Sequence, residues 1–407
     1  MVQLDNHPLL VPLIAACVFE HLTDDIKSVC QSTKVCRLWF LEGYKHLWRH
    51  GQLGQLFFYV KDIGRRCHFA SLLEELTFHS DDNSLASNQM KLQPLQSARL
   101  KSIAINQSNL IGVQPANIKS LIVPSLRFLS LESDGFEWAQ QSKEDNDIFL
   151  DALISHCGTL TTLKFYPIYT DAERHLVSAL IDSLQDIEHL ELGYIAEHLH
   201  SRDHAEDFLY KVFTKSRLVY LSFPHGCDFT EHSVQLFLAT MEPDWTLPSL
   251  RYLGRPVFFS SLAAASLLQR LPSLSTLHLT LEGHGGWRNS LTHTFAAISK
   301  LRQLEKLNLY VNVDDCDMDG SWLGQLSELE SLESITLEPS NPGTVALTGA
   351  QLAAFLVGLP RLNYLELDFG RLEVFCSVEE KSAVDSAFAR INELDTGDLI
   401  ITAQPLV

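Results

Sequence analysis

Three histidines in the segment His198-Leu-His-Ser-Arg-Asp-His204 have the residue type and the close spacing of metal ligands. His198, His200 and His204 could each offer an imidazole nitrogen to a zinc ion. The acidic residues around them and their helix-like spacing are more typical of a solvated loop or the start of a helix. We therefore expect no metal at this segment.

Other segments that resemble catalytic motifs lack the residues that the chemistry needs. Gly283-His-Gly-Gly286 is rich in glycine, but no lysine follows it as a phosphate-binding loop requires. No Gly-x-Ser-x-Gly motif occurs, and no cysteine stands near a histidine in a recognisable catalytic arrangement. The eight cysteines form no Cys-x-x-Cys pair, so we expect neither disulfides nor cysteine-bound zinc. The sequence thus predicts a protein that is not an enzyme and needs no cofactor.

The chain is strongly acidic, with 31 Lys and Arg against 50 Asp and Glu and a net charge of −19. This charge repels phosphate backbones and argues against a nucleic-acid partner. Between Lys306 and Arg361 there is no basic residue. The acids in that stretch are Asp314, Asp315, Asp317, Asp319, Glu328, Glu330, Glu333 and Glu338. Two interpretations stay open: they attract a basic partner protein, or they are solvated faces that keep the protein in solution.

Hydropathy argues against a membrane or secreted protein. No apolar run approaches the roughly 18 residues of a spanning helix. The N-terminus lacks the basic segment, apolar stretch and cleavage site of a secretion signal. We expect a cytoplasmic or nuclear protein that has no membrane partner.

The elements that would position any functional residue follow a repeat, apolar-x-x-apolar-x-apolar, which occurs eleven times. Each copy is preceded by a helix-like stretch and followed by a loop, which is the signature of a leucine-rich repeat solenoid. The copies are centred on Leu76, Ile103, Leu129, Leu163, Leu190, Leu221, Leu253, Leu277, Leu307, Ile335 and Leu365.

Alternating strands and helices predict an α/β fold with parallel strands on a concave face and helices outside. The stretches Ser260 to Leu271 and Thr348 to Leu359 carry helix patterns, and Thr170 to Glu173 forms a capping box before another helix. We assign residues 73–407 to the solenoid. Its C-terminal cap is predicted to be a helix from Ser377 to Leu394 and a closing strand from Asp398 to Ala403.

A strand that buries alternate residues must point the others outward, and here the outward positions are rich in aromatic rings. Such rings on a concave surface suit the anchoring of a protein substrate, although cross-strand packing is an equally good explanation for them. The predicted substrate-binding residues are Phe128, Tyr166, His189, Tyr220, Tyr252, His278, Tyr310, Tyr364, Glu366 and Asp368.

The first 50 residues break the repeat and predict a small all-α domain of three helices, joined to the repeats by a helical segment over residues 51–72. Apolar residues after Val11-Pro12 fall on one helical face, and a second helical stretch leads to Val35-Cys36-Arg37-Leu38-Trp39. Leu47-Trp48-Arg49 closes the pattern. This segment resembles an F-box, whose pattern runs Leu-Pro, a helix ending in Leu, Val-Cys-basic-x-Trp, and Leu-Trp-basic.

The repeats in turn resemble those of F-box and leucine-rich-repeat proteins, especially the degenerate fungal type. The resemblance implies an F-box that binds a Skp-type adaptor, and through it a cullin, while the repeats present a protein substrate for ubiquitin transfer. The implied adaptor-binding residues are Val11, Pro12, Leu13, Val18, Phe19, Leu22, Val35, Cys36, Trp39, Leu47 and Trp48.

Size alone leaves an alternative open. A domain of this length cannot bury all of its large apolar side chains internally, so either a partner or the first repeats must cover the remainder. In the second case the chain is a repeat scaffold that acts without a ligase. An enzyme with an unrecognised site is the third hypothesis.

Overall fold

A computed structural model provides the structure of the chain. It describes residues 12–22, 25–52, 62–78, 99–106, 119, 121–132, 143–166, 174–193, 202–223, 228–283, 291–313, 321–339, 344–367, 371–391, 393–395 and 398–403. These residues fall into two compact units, Met1–Asp186 and Ile187–Val407.

The first unit begins with three helices and continues as parallel strands. Its helices are α1 (Pro12–His21), α2 (Ile26–Ser32), α3 (Arg37–Leu47), α4 (Ile63–Ala70), α5 (Lys143–His156) and α6 (Arg174–Ser183). Its strands are β1 (His50–Gln52), β2 (Glu75–Phe78), β3 (Ser102–Asn106), β4 (Phe128–Glu132) and β5 (Thr162–Phe165). The five strands pair in chain order, each parallel to the next.

The second unit carries two rows of parallel strands. Its helices are α7 (Arg202–Phe213), α8 (Glu231–Thr240), α9 (Ser261–Leu268), α10 (Leu291–Ile298), α11 (Ser321–Leu326), α12 (Gly349–Gly358) and α13 (Val378–Phe388). The first row comprises β6 (His189–Leu192), β7 (Tyr220–Ser222), β9 (Tyr252–Gly254), β11 (Thr276–Gly283), β12 (Lys306–Val313), β13 (Ser334–Pro339), β15 (Tyr364–Leu367) and β17 (Glu393–Asp395), paired in that order. The other strands are β8 (Asp228–Phe229), β10 (Val257–Phe258), β14 (Thr344–Thr348), β16 (Arg371–Cys376) and β18 (Asp398–Ala403).

The predicted α/β class and the eleven predicted strand centres are confirmed. All eleven centres lie in strands and are at most 1% exposed. They are also direct partners across the ladders: Leu76 faces Ile103 in the first unit, and Leu277 faces Leu307 in the second. Register is fixed in this way because a slip of one residue would turn every buried side chain to the opposite face.

Side-chain caps set where several helices begin. The carboxylate of Asp25 accepts a hydrogen bond of 3.1 Å from the Ser28 N–H and starts α2. Thr348 caps α12 by accepting from the Gln351 N–H at 3.1 Å, as the sequence pattern predicts. Such caps satisfy N–H groups that the first helical turn leaves unpaired. The capping box predicted at Thr170 to Glu173 lies outside the described residues.

The structure corrects two predicted boundaries and confirms the bounds of the closing strand. The helix predicted from Ser377 to Leu394 ends at Phe388, and Leu394 belongs to β17. The closing strand predicted from Asp398 to Ala403 is confirmed with those bounds as β18, and it pairs with β16 in a separate sheet of β14, β16 and β18. The repeats were predicted to start at residue 73, but parallel strand pairing starts earlier. His50 in β1 already pairs with Glu75 in β2.

Across the part of the chain that the structure describes, no helix combines the length and the apolar character needed to cross a bilayer.

Candidate protein-interaction sites

The three N-terminal helices close around a small core. Ala15, Phe19, Val29 and Trp39 are buried in it, and the ring of Phe19 meets the ring of Trp39 edge to face at a centroid distance of 5.6 Å. Val18, Leu22, Cys36 and Leu47 pack around this core and are partly buried. Apolar residues from all three helices thus form a common core.

A glycine allows α3 to approach this core closely. A Cβ atom placed on Gly43 would stand 2.6 Å from two ring carbons of Phe19 and 2.7 Å from the Thr33 methyl carbon. No real Cβ atom tolerates such distances, so residue 43 has no room for a side chain. The spacing between α1, α2 and α3 therefore depends on Gly43.

The eleven predicted adaptor-binding residues separate into interior and accessible groups. Phe19 and Trp39 are buried in the structure and shape the three-helix core from inside; their contact with an adaptor stays a prediction. Val35 is 60% exposed and is not part of the core. Trp48 stacks on Phe69 of α4, with ring centroids 4.1 Å apart. Val11 lies outside the described residues, as do the side chains of Pro12 and Leu13, which begin α1.

Sequence reasoning missed an apolar groove between α3 and α4. Phe40 and Leu41, 50% and 47% exposed, lie along it, and its volume is about 540 Å³. The rest of the lining consists of Tyr44, Lys45, Arg65, His68, Phe69 and Leu72. The signal in the sequence was the spacing of Phe40 and Tyr44, which places both rings on one helical face; the rings lie 5.7 Å apart.

His46 of α3 places a titratable ring among the three N-terminal helices, α1 to α3, which we call the helical unit. Its Nδ1 atom is buried without a hydrogen-bond partner in the described structure. Burial lowers the pKa of His46 below 6.5, and Arg49 lowers it further, against the opposing pull of Glu20, Glu42 and Glu74. The neutral ring is therefore the form that the folded unit prefers.

We expect the helical unit to be most stable above about pH 6.5 and to lose stability as the pH falls from there towards the lowered pKa of His46. In that interval the unfolded state binds more protons than the folded state, so acid favours unfolding. Hydrogen exchange of α1 and α3, corrected for the intrinsic pH dependence, measures this at pH 7.5 and 5.5. His46→Gln should flatten the response, and an unchanged response in that variant would assign it to another group.

The outward face of the second unit carries a ladder of stacked rings from four neighbouring strands. The ring of His189 stacks on Tyr220 at 3.8 Å with an interplanar angle of 6°, and Tyr220 stacks on Tyr252 at 3.9 Å and 5°. Tyr252 then meets His278 at 5.3 Å in a tilted arrangement. We call His189, Tyr220, Tyr252 and His278 the aromatic ladder. Because the rings cover one another's faces, their edges form the accessible surface.

An irregular backbone beside the ladder makes this stacking possible. A Cβ atom on Gly254 would approach the Tyr252 ring to 2.7 Å, so the ring lies over a position without a side chain. The next residue, Arg255, has a positive φ of 60°. This conformation costs a residue other than glycine about 1–2 kcal/mol. Gly254 and Arg255 thus form a local backbone irregularity, and parallel strand pairing resumes in β10, where Val257 pairs with Thr280.

A cavity of about 170 Å³ opens next to the ladder, above β11 and β12. Its lining comprises Arg255, His278, Leu279, Thr280, Asn308, Leu309, Tyr310, Thr336 and Glu338. The side-chain nitrogen of Asn308 lies 3.2 Å from His278 Nδ1 and donates to it. Of the predicted substrate-binding residues, the cavity brings together His278 and Tyr310.

The other predicted substrate-binding residues lie apart from the cavity lining. In the second unit, Tyr364 donates a hydrogen bond of 2.7 Å to Glu366, which also accepts from Thr336 at 3.2 Å. In the first unit, Phe128 and Tyr166 are half-buried on β4 and after β5. Asp368 lies outside the described residues.

Metal-ligand geometry does not occur in the described segments, where no group of three or more His, Cys, Asp or Glu could hold an ion. His198 and His200 lie outside those segments, and His204 belongs to α7, where its side chain is not described. Comparison of the chain with protein-family models and with curated proteins gives no significant match.

Proposed function

We propose that the chain is a leucine-rich repeat solenoid with an N-terminal F-box and serves as the substrate-recognition subunit of a Skp-cullin-F-box ubiquitin ligase. The N-terminal helices would bind the Skp-type adaptor, and the outward strand face would bind the protein substrate. Such a receptor is not itself an enzyme, because other subunits of the ligase carry out ubiquitin transfer.

The observation that carries this proposal is the apolar surface that the helical unit leaves open. Phe19 and Trp39 already fill the interior, yet Val35, Phe40 and Leu41 remain about half exposed or more. Burying one such side chain fully in an interface is worth about 1.5–3 kcal/mol. A partner that covers this surface would therefore gain affinity without disturbing the core.

Capture of the purified full-length chain by a Skp-type adaptor tests the proposal. We expect the wild type to bind and Val35→Asp to bind at least tenfold more weakly, because a carboxylate replaces an apolar contact in the interface. Val357→Asp is the matched control, since Val357 is 65% exposed on α12 in the second unit. Both variants change an exposed valine, so both should stay folded.

Equal binding by the two variants would show that Val35 is not at the adaptor interface. No capture by a folded wild type would contradict the receptor function itself. The second candidate, a scaffold that acts without a ligase, would then be the better account. The contact that favours it is the stacking of Trp48 on Phe69, since here the chain itself covers an F-box-like side chain.

A further inference from the structure

The cavity above β11 and β12 is electrically polarised across the strands. Arg255 lies on the side of β10, and Glu338 lies on β13 at the opposite side. Thr280 on β11 and Asn308 on β12 stand between them, and Thr336 lies beside Glu338 on β13; these side chains can exchange hydrogen bonds with a polar ligand. A complementary ligand therefore needs a negative group near Arg255 and a positive group near Glu338.

His278 adds a neutral donor to the positive end. Because Asn308 donates to Nδ1, the ring proton is assigned to Nε2. Burial lowers the pKa of His278, and the positive charges of Arg255 and Lys306 lower it further. At neutral pH the ring is therefore uncharged, and the positive charge in the cavity lining comes from Arg255.

The backbone at Arg255 is a second, independent indication of a binding role. Its φ of 60° suits glycine, and the following Pro256 favours an extended conformation in the residue before it. The Arg255 N–H donates to the carbonyl of His278 at 3.0 Å, which ties the turn to β11. Strained residues that persist in this way cluster at functional sites, where the surrounding structure holds them.

The separation of the two ends sets the length of a complementary ligand. From β10 to β13 there are three strand spacings, which amount to about 14 Å. An extended peptide advances about 3.3–3.6 Å per residue. About four residues therefore bridge the cavity from one charged end to the other.

We propose that this cavity binds an extended peptide segment of the partner protein, with a carboxylate at Arg255 and a Lys or Arg side chain at Glu338, about four residues apart. The proposal rests on the receptor function above and specifies its substrate class. The exposed Tyr310 side chain lies between the charged ends and contacts the intervening residues. A substrate that is merely basic would be repelled at the Arg255 end.

Fluorescence anisotropy with synthetic peptides on the full-length chain tests the proposal. One series consists of end-blocked dodecapeptides in which Glu and Arg are separated by two to six residues in either order. A second series replaces the Glu by a free C-terminal carboxylate at the same separations from Arg. We expect the tightest binding at a separation of about four residues. Binding should be at least tenfold weaker when Gln replaces Glu, or when amidation removes the charge of the free carboxylate.

Variants of the chain test the two ends separately. Arg255→Gly removes the guanidinium and relieves the positive φ, so the fold is retained, and we expect at least a tenfold loss of affinity. Glu338→Gln should weaken binding of the Arg-containing peptide more than that of its Arg→Gln analogue. Lys300→Ala, at an exposed turn outside the cavity, makes the same change in net charge as Arg255→Gly and should bind like the wild type.

Binding in either peptide series supports the proposal and identifies the carboxylate as a side chain or a chain terminus. Affinity independent of spacing, wild-type affinity in Arg255→Gly, or no binding by the folded wild type would overturn it. The adaptor is absent from this assay. Peptide binding without adaptor capture would therefore support the peptide site and contradict the ligase function. Adaptor capture without peptide binding would support the ligase function and contradict the peptide site.

Discussion

Gly43→Leu is expected to unfold the three N-terminal helices. The first carbon of the new side chain would already stand 2.6 Å from the Phe19 ring, which is completely buried and cannot move aside. Overpacking of a dense core costs about 1–3 kcal/mol for small additions and more for larger ones. A helical core of this size contributes no more than about 3–5 kcal/mol to the free energy of unfolding. The leucine is therefore expected to remove most or all of that stability.

Hydrogen exchange of α1 and α3 measures this loss. Gly324→Ala is the control, because Gly324 also lies in a helix but a Cβ atom there would have no neighbouring atom within 4 Å. There the alanine should be neutral or stabilising by up to about 1 kcal/mol. Protected amides in α1 and α3 of the leucine variant would show that the helices can separate without unfolding.

Gly254→Val is expected to break the aromatic ladder at its centre. The Tyr252 ring would have to leave its place because its Cε1 atom lies 2.7 Å, and its hydroxyl 3.0 Å, from the new Cβ position. Tyr252 contacts Tyr220 on one side and His278 on the other. Aromatic pairs contribute about 0.5–1.5 kcal/mol each beyond their buried area, so the two contacts together account for about 1–3 kcal/mol.

The ring-current shifts of Tyr220 protons measure the stacking directly, and thermal unfolding of the second unit measures its energy. Tyr252→Phe keeps the ring and should keep the shifts. Ser334→Val introduces the same β-branched side chain at an outward position of β13, away from the ladder, and should leave the shifts unchanged. Unaltered Tyr220 shifts in Gly254→Val would mean that the Tyr252 ring avoids the valine and still stacks on Tyr220.

The strand centres could be predicted from the sequence because burial of a parallel strand imposes a local pattern. Leu277 and Leu307 stand in near-identical apolar phrases, and each is fully buried at the same register position. Half-buried outward positions carry no such constraint. The sequence shows the rings of the aromatic ladder as a column of outward residues. Their mutual stacking depends on Gly254, because the Tyr252 ring packs over the position where a side chain would stand.

The helical unit shows the same limit. The sequence predicts three helices, but it does not distinguish Phe19, which is buried, from Val35, which is exposed. The groove was missed because it arises from the packing of α4 on α3, through Phe69 on Tyr44 and Trp48. The spacing of Phe40 and Tyr44 indicates one wall of the groove, but no sequence pattern relates α3 to the residues of α4 that form the other wall.

The last described strand of the long row, β17, is an edge at which a second copy of the chain could add. A terminal strand offers unpaired backbone groups to which another chain can add. β17 pairs with β15 on one side, and no described strand pairs with its other side. It is only three residues long and has the sequence Glu393-Leu-Asp395. Glu393 is exposed on this short edge, and its negative charge opposes the approach of a second acidic copy to the described strand.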